Sequence, residues 1–183
     1  MADETNRAGF AGSEKSTLET AMTEQPTSAS EVSLRRITSQ TVYDICELSE
    51  TLSEAQRNKV ADNGTSIAEA HFSENAWFRA VYADDTPVGF VMLHIGSDFD
   101  VIDCPGAFLW RFMIAGPFQR MGFGEKAIAL VAREMKARGF GELFTSYGLG
   151  EASPEGFYKR LGFVATGETY DDEVEAVLKF TNR

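Results

Sequence analysis

Phe118 to Ile128 reads FQRMGFGEKAI, two residues after AFLWRFMIA, Ala107 to Ala115. The second stretch is a nearly unbroken apolar run, the pattern of a strand buried on both faces. Downstream, in EKAIALVAREMKARG, Ile128, Val131, Ala132 and Met135 recur at helical spacing. Glu125 sits in the first turn, Lys136 and Arg138 in the last, and Gly139 suits the position after the end, all matched to the helix dipole and its capping rules. The reading is strand, glycine turn, helix. A helix N-terminus leaves its first N–H groups unpartnered and carries a partial positive charge. Gly122 and Gly124 would let an anion reach that backbone, and Arg120 could add charge-assisted hydrogen bonds. A plain tight turn, with glycines serving positive φ, explains the same residues. Glycine spacing does not choose between them.

Working outward, residues 1–31 are rich in Ser, Thr, Glu and Ala, with Phe10 as the one aromatic, and read as a flexible tail. A single domain is expected over 32–183. It opens with a short strand, VSLRRIT, followed by two helical stretches, the second with Ser53 as N-cap. A β-hairpin follows, turning at Asp84-Asp85-Thr86-Pro87. After the long helix come a strand, GELFTSYGL, and a short helix with Ser153 as N-cap, Pro154 at the first position and Gly162 beyond the end. Two strands, VATGE and EVEAVLKF, close the chain. The order predicts an α/β layer arrangement around a mostly antiparallel sheet.

The net charge of −11 disfavours a nucleic-acid partner and favours cationic ligands, although acidity also serves solubility alone. The two cysteines, Cys46 and Cys104, are too far apart in sequence for a paired motif, so a reducing, cytoplasmic setting without zinc or disulfide is expected. His71 and His94 have no neighbouring ligand types at metal spacing and read as structural or surface groups. No apolar run has the length of a membrane span.

Two familiar phosphate motifs fail: there is no Walker A loop, and Gly122-Phe123-Gly124 lacks the third glycine of a dinucleotide fingerprint. The segment Gln119 to Gly124 does satisfy Q/R-x-x-G-x-G/A. It resembles the acetyl-CoA pyrophosphate loop of the GNAT superfamily of N-acetyltransferases. SPEGFYKRLGFVATGE looks like that family's late helix and following strand. Together with LWRFMI and TSYGLGE, it looks most like the bacterial spermine/spermidine (diamine) acetyltransferase-like branch. The resemblance spans about residues 32–180 and is strongest over 108–168. It implies the GNAT fold, a mixed, mostly antiparallel sheet of about seven strands with about four helices. Homodimers are common in the family.

The implied reaction is acetyl transfer from acetyl-CoA directly to a primary amine, a small cationic amine or polyamine first among the acceptors. A protein N-terminus or lysine, an amino acid or an aminoglycoside remains open, as does a non-catalytic acetyl-CoA sensor. By the resemblance, Phe112, Met113 and Ile114 would offer backbone groups to the pantetheine arm and polarise the thioester carbonyl. Gln119, Arg120, Met121, Gly122, Phe123, Gly124 and Glu125 would hold the pyrophosphate, and Ser153 would touch the CoA arm or only cap its helix. Tyr158 stands at the general-acid position. A phenol can donate to, or hydrogen-bond, a thiolate leaving group; a packed aromatic is the plainer reading. Where some polyamine acetyltransferases carry a Glu on the strand before the loop, this chain has Trp110, with Arg111 next. Trp110 and Tyr147 are expected at the substrate, Tyr147 as a pocket wall. The fallback for the base is a water chain to Glu151 or to Asp98, Asp100 and Asp103; Glu151 reads as base or amine-binding group or as a plain surface-loop residue, and the three Asp as a solvated loop or a cation-binding group.

Overall fold

A computed structural model of the protein describes residues 25–96 and 106–180. Most of the expected tail, the group Asp98, Asp100 and Asp103, and Cys104 lie outside them. Among the described residues seven strands form one sheet: β1 (Val32–Arg35), β2 (Ala76–Ala83), β3 (Thr86–Ile95), β4 (Ala107–Ile114), β5 (Glu142–Gly148), β6 (Val164–Tyr170) and β7 (Glu173–Lys179). Their spatial order is β1-β2-β3-β4-β5-β7-β6. Of these, β4 and β5 run parallel, and every other neighbouring pair is antiparallel. The expected mixed, mostly antiparallel sheet is present.

Five α-helices of the described residues cover the sheet: α1 (Val42–Glu47), α2 (Glu54–Arg57), α3 (Asn63–His71), α4 (Phe123–Ala137) and α5 (Glu155–Arg160). The long helix behaves as its sequence predicts, burying Ala127, Ile128, Val131 and Met135. It ends in a Schellman motif: Gly139, at φ +93°, donates to Lys136 O and Phe140 donates to Met135 O. Before β2 the expected pair of helices is three. Ser53 does cap α2, in a full capping box with Gln56, but the helix stops at Arg57. The chain restarts at Asp62, whose carboxylate accepts from Thr65 N at 2.8 Å and opens α3. The hairpin turn is tighter than expected: Thr86 and Pro87 already belong to β3, and Asp84 supplies the positive φ of +50°.

The core has two layers. On one face α4 and α5 cover Val91, Leu109, Leu143 and Ala176; on the other α1 to α3 cover Phe90, Met92 and Met113. At the N-terminal edge the chain is tethered before β1, where Lys126 Nζ donates to the carbonyls of Ser28 and Ser30. At the other edge β6 is exposed from Val164 to Thr169, and its register with β7 breaks between Ala165 and Thr169 around Gly167, at φ +98°.

A close inter-strand approach lies between β3 and β4. A Cβ on Gly89 would stand 2.4 Å from Met113 O, a backbone atom with no room to yield. Gly89→Ala should therefore cost about 2–3 kcal/mol by overpacking. In calorimetry that is a melting-temperature loss of roughly 5–10 °C for a domain of this size; an unchanged melting temperature would contradict the packing described.

Candidate active site

β4 and β5 pair only through Ala107–Leu143, Phe108–Phe144 and Leu109–Thr145. Beyond Leu109 they diverge, and a cleft of about 1030 Å³ opens between them. A bulge in β4 marks the divergence. The register with β3 jumps from Met92–Arg111 to Leu93–Leu109, so Trp110 is the extra residue. A bulge bends its strand and increases local twist. The cleft passes through the sheet: Phe157, Tyr158 and Leu161 line it from the α5 side, and Leu52, Gln56, Lys59 and Val60 from the α2 side.

The β4 backbone facing the gap can be assigned. Ala115 N donates to Val88 O of β3 at 2.9 Å. By the alternation of a strand, Phe112 and Ile114 then aim their N–H and C=O groups at the gap. Ile114 O is taken by Gln119 Nε2 at 2.9 Å. The Phe112 backbone and the Ile114 N–H remain for a ligand. Met113 faces β3 with its backbone and lends only its side chain to the cleft wall.

The glycine stretch forms the floor of one end. Gly122 is the N-cap of α4 at φ +84°, with no side-chain cap, so the N–H groups of Phe123, Gly124 and Glu125 have no helical partner. A side chain on Gly122 would meet open space, and its glycine serves φ; Gly124 has Phe157 ring atoms 3.2 Å from where a Cβ would be. The two glycines do different jobs, one conformational and one steric. Arg120, also at positive φ (+63°), Gly122, Gly124 and Glu125 line the cleft, while Met121 is half-buried against the core and the Phe123 side chain lies inside it. Gln119 lines the cleft too, but its N–H is engaged by Gly116 O and its side chain braces Gln56 and Ile114.

Tyr158 reaches the cleft from α5 and is 6% exposed. Its ring stacks on Tyr147 at 5.6 Å and meets Phe157 and Phe163 edge-on. Burial pushes its phenol up to about 12; the Thr145 hydroxyl opposes this, and the Glu173 carboxylate adds to it. The group is a neutral donor at any working pH. Ser153 lines the cleft and caps α5, but from one residue further out than expected: Pro154 is the N-cap, and Ser153 Oγ accepts from Glu155 N.

Two expected residues stand elsewhere. The bulge turns Trp110 toward the α1–α3 face, where it packs on the second core layer beneath the Arg111 guanidinium, outside the cleft lining. Glu151 is exposed in the turn after β5, also outside the lining. The lining includes residues that the sequence did not single out. Lys59 donates to Leu149 O across the cleft at 2.9 Å, and Gln56 bridges to Gln119 at 3.0 Å. Ser146 and Arg160 are also there. Arg160 follows Tyr158 by two residues at the end of a short amphipathic helix, which was its one legible signal.

The profile of the acetyltransferase (GNAT) family matches residues 41–163. The chain belongs to the GNAT family of acetyltransferases. Among solved structures, this GNAT domain is similar to an acetyltransferase from Thermus thermophilus (15% identity, covering 81% of this chain and 97% of that one, TM-score 0.65). It is also similar to the ribosomal-protein-S18-alanine N-acetyltransferase of Escherichia coli (14%, 84% and 96%, TM-score 0.60). A third is the PaiA N-acetyltransferase of Thermoplasma acidophilum, in complex with coenzyme A (17%, 82% and 99%, TM-score 0.57). At these identities the likeness establishes the GNAT fold. A search of curated proteins finds no significant match. Among the described residues, no helix is long and apolar enough to cross a membrane.

The Tyr158 environment carries a pH signature. Its folded pKa lies above the ordinary 10, so between about pH 10 and 12 the unfolded chain loses a proton that the folded one keeps. Stability from this group is full below pH 10 and is lost as pH rises toward 12, by about 3 kcal/mol. Tyr158→Phe should flatten that part of the alkaline denaturation curve. A variant curve parallel to the wild type above pH 10 would contradict the buried phenol.

Proposed function

We propose that this protein transfers the acetyl group of acetyl-CoA to a primary amine by direct attack. The observation that carries the reading is one cleft, open on both faces of the sheet, with an uncapped helix N-terminus at one end and the Tyr158 phenol between. The residues present fit acetyl-CoA. The free N–H groups of Phe123, Gly124 and Glu125, with Arg120 beside them, suit a pyrophosphate. The Phe112 backbone and the Ile114 N–H suit a pantetheine arm laid along β4, where an N–H can polarise the thioester carbonyl.

Magnitudes define the part of Tyr158. A thiol has a pKa of about 8.5, so full proton transfer from a phenol at about 12 is uphill by roughly 5 kcal/mol. Tyr158 therefore serves as a fixed hydrogen-bond donor to the departing sulfur. The finer reading of the acceptor is a small cationic amine or polyamine, supported by the net charge of −11. The same charge argues for a small-molecule acceptor over nucleic acid, and the cysteine usage for the cytoplasm.

The test is thiol release from acetyl-CoA against spermidine, spermine, a diamine, a lysine peptide, an amino acid and an aminoglycoside. Release with polyamines, falling as salt rises, is expected. Release only with the peptide would move the acceptor to protein, and binding of acetyl-CoA without release would favour a sensor. Tyr158→Phe should lower kcat by one to two orders of magnitude (about 10–100-fold) with little change in acetyl-CoA affinity; equal kcat would remove Tyr158 from the mechanism.

A further inference from the structure

Amine attack requires a proton acceptor on the acceptor side of the cleft. Trp110 offers none on β4, and Glu151 is exposed and outside the cleft lining. Among the described lining residues the one carboxylate is Glu125, in the first turn of α4 at the anion end. A different carboxylate reaches the wall indirectly. Ser146 of β5 lines the cleft, and its hydroxyl donates a hydrogen bond to Glu173 Oε2.

The topology explains the pairing. Ser146 and Thr145 alternate across β5, so Thr145 lies beside Tyr158 while Ser146 faces the side of α1 to α3. Glu173 stands on β7 opposite Gly148, and its side chain returns along that face to Ser146. Its charge is felt from both directions. It adds to the upward push on Tyr158, and with Glu69 it opposes the lowering that burial imposes on Arg111. Tyr170 of β6 is its opposite residue, and Glu175 is its neighbour on the same face of β7. Glu173 is therefore coupled to the group at the sulfur and to a cation on β4, and it hydrogen-bonds to a hydroxyl in the cleft wall.

We propose that Ser146 takes the proton of the attacking amine and passes its own to Glu173, making the pair the proton path of the acceptor side. The proposal rests on the acetyl-transfer reading. The amine enters neutral, and its nitrogen bonds to the acetyl carbon as the carbon–sulfur bond breaks. The nitrogen proton moves to Ser146 Oγ while the Ser146 proton moves to Glu173 Oε2. The sulfur leaves as a thiolate held by Tyr158 and is protonated by water; Glu173 then returns its proton to water. A hydroxyl is suited to the middle place because it accepts and donates at once. Ser146 would be the group that touches substrate, and Glu173 would act through it.

The experiment uses the full chain with acetyl-CoA and the best amine from the panel, comparing Ser146→Ala, Ser146→Thr, Glu173→Gln and the double variant Ser146→Ala/Glu173→Gln. Ser146→Ala and Glu173→Gln should each lower kcat about 100-fold. Acetyl-CoA affinity, from titration calorimetry, should stay within about twofold, because neither residue touches the anion end. The double variant should be no slower than the slower single, as members of one path are non-additive. The deficit should narrow as pH rises and hydroxide replaces the lost acceptor, and Ser146→Thr should keep most of the rate. Wild-type kcat in both single variants, additive losses, or a deficit independent of pH would overturn the path while leaving acetyl transfer standing. If Glu173→Gln loses acetyl-CoA affinity through misfolding, Ser146→Ala against Ser146→Thr decides alone. If the wild type binds acetyl-CoA but releases no thiol with any amine, the acetyl-transfer reading fails and the path falls with it.

Discussion

The parallel ladder between β4 and β5 lasts for three residue pairs, and the rest of the molecule is arranged around its ending. β5 is held by β7 along its whole length of seven residues, and β4 is held by β3 on its far side. Each strand is anchored outward, so the two can separate without unravelling. The bulge at Trp110 bends β4 just where pairing stops. Backbone groups exposed by the separation must find other partners, since an unmet N–H or C=O away from water is costly. Gln119 satisfies one of them, and the Phe112 backbone and the Ile114 N–H are left facing the cleft.

The separation also gives the sheet two different sides at one point. On the α4 and α5 side are the open helix end, Arg120, and the buried tyrosines 147 and 158. On the side of α1 to α3 are Gln56, Lys59, Ser146 and the carboxylates behind them. The two groups of residues line opposite ends of one cleft, which joins them where β4 and β5 part. Tyr158 belongs to the first side, and the Glu173 carboxylate of the other side still adds a little to the upward push on its phenol.

The parts of this site that were legible in the sequence are those made by short-range rules. The strand 107–114, the φ of Gly122, the helix face of Ile128, Val131 and Met135, and both glycine C-termini depend on neighbours within a few residues, and they stand where the sequence puts them. Trp110 lies off the expected face because a bulge inserts one residue and reverses the facing that a period of two implies. α3 is hidden from a sequence reading because Asn63, Gly64, Thr65 and Ser66 are poor helix formers, and the Asp62 cap with tertiary packing outweighs them. Ser146 and Glu173 are 27 residues apart and become neighbours only through the β5–β7 ladder. Gln56 on α2 and Lys59 just after it meet the cleft only because the tertiary fold sets that segment beside it. No local pattern encodes those meetings.

The outer edge beyond β7 has its own consequence. β6 carries Val164 at 67% exposure and shows its other residues through Thr169 to solvent, which in a straight strand would invite another chain to add on. The slipped register around Gly167 interrupts the row of amides there. A newcomer would find a few unpaired bonds, then a kink, then bonds out of step. The sheet can thus keep an open flank without becoming a template for fibre growth.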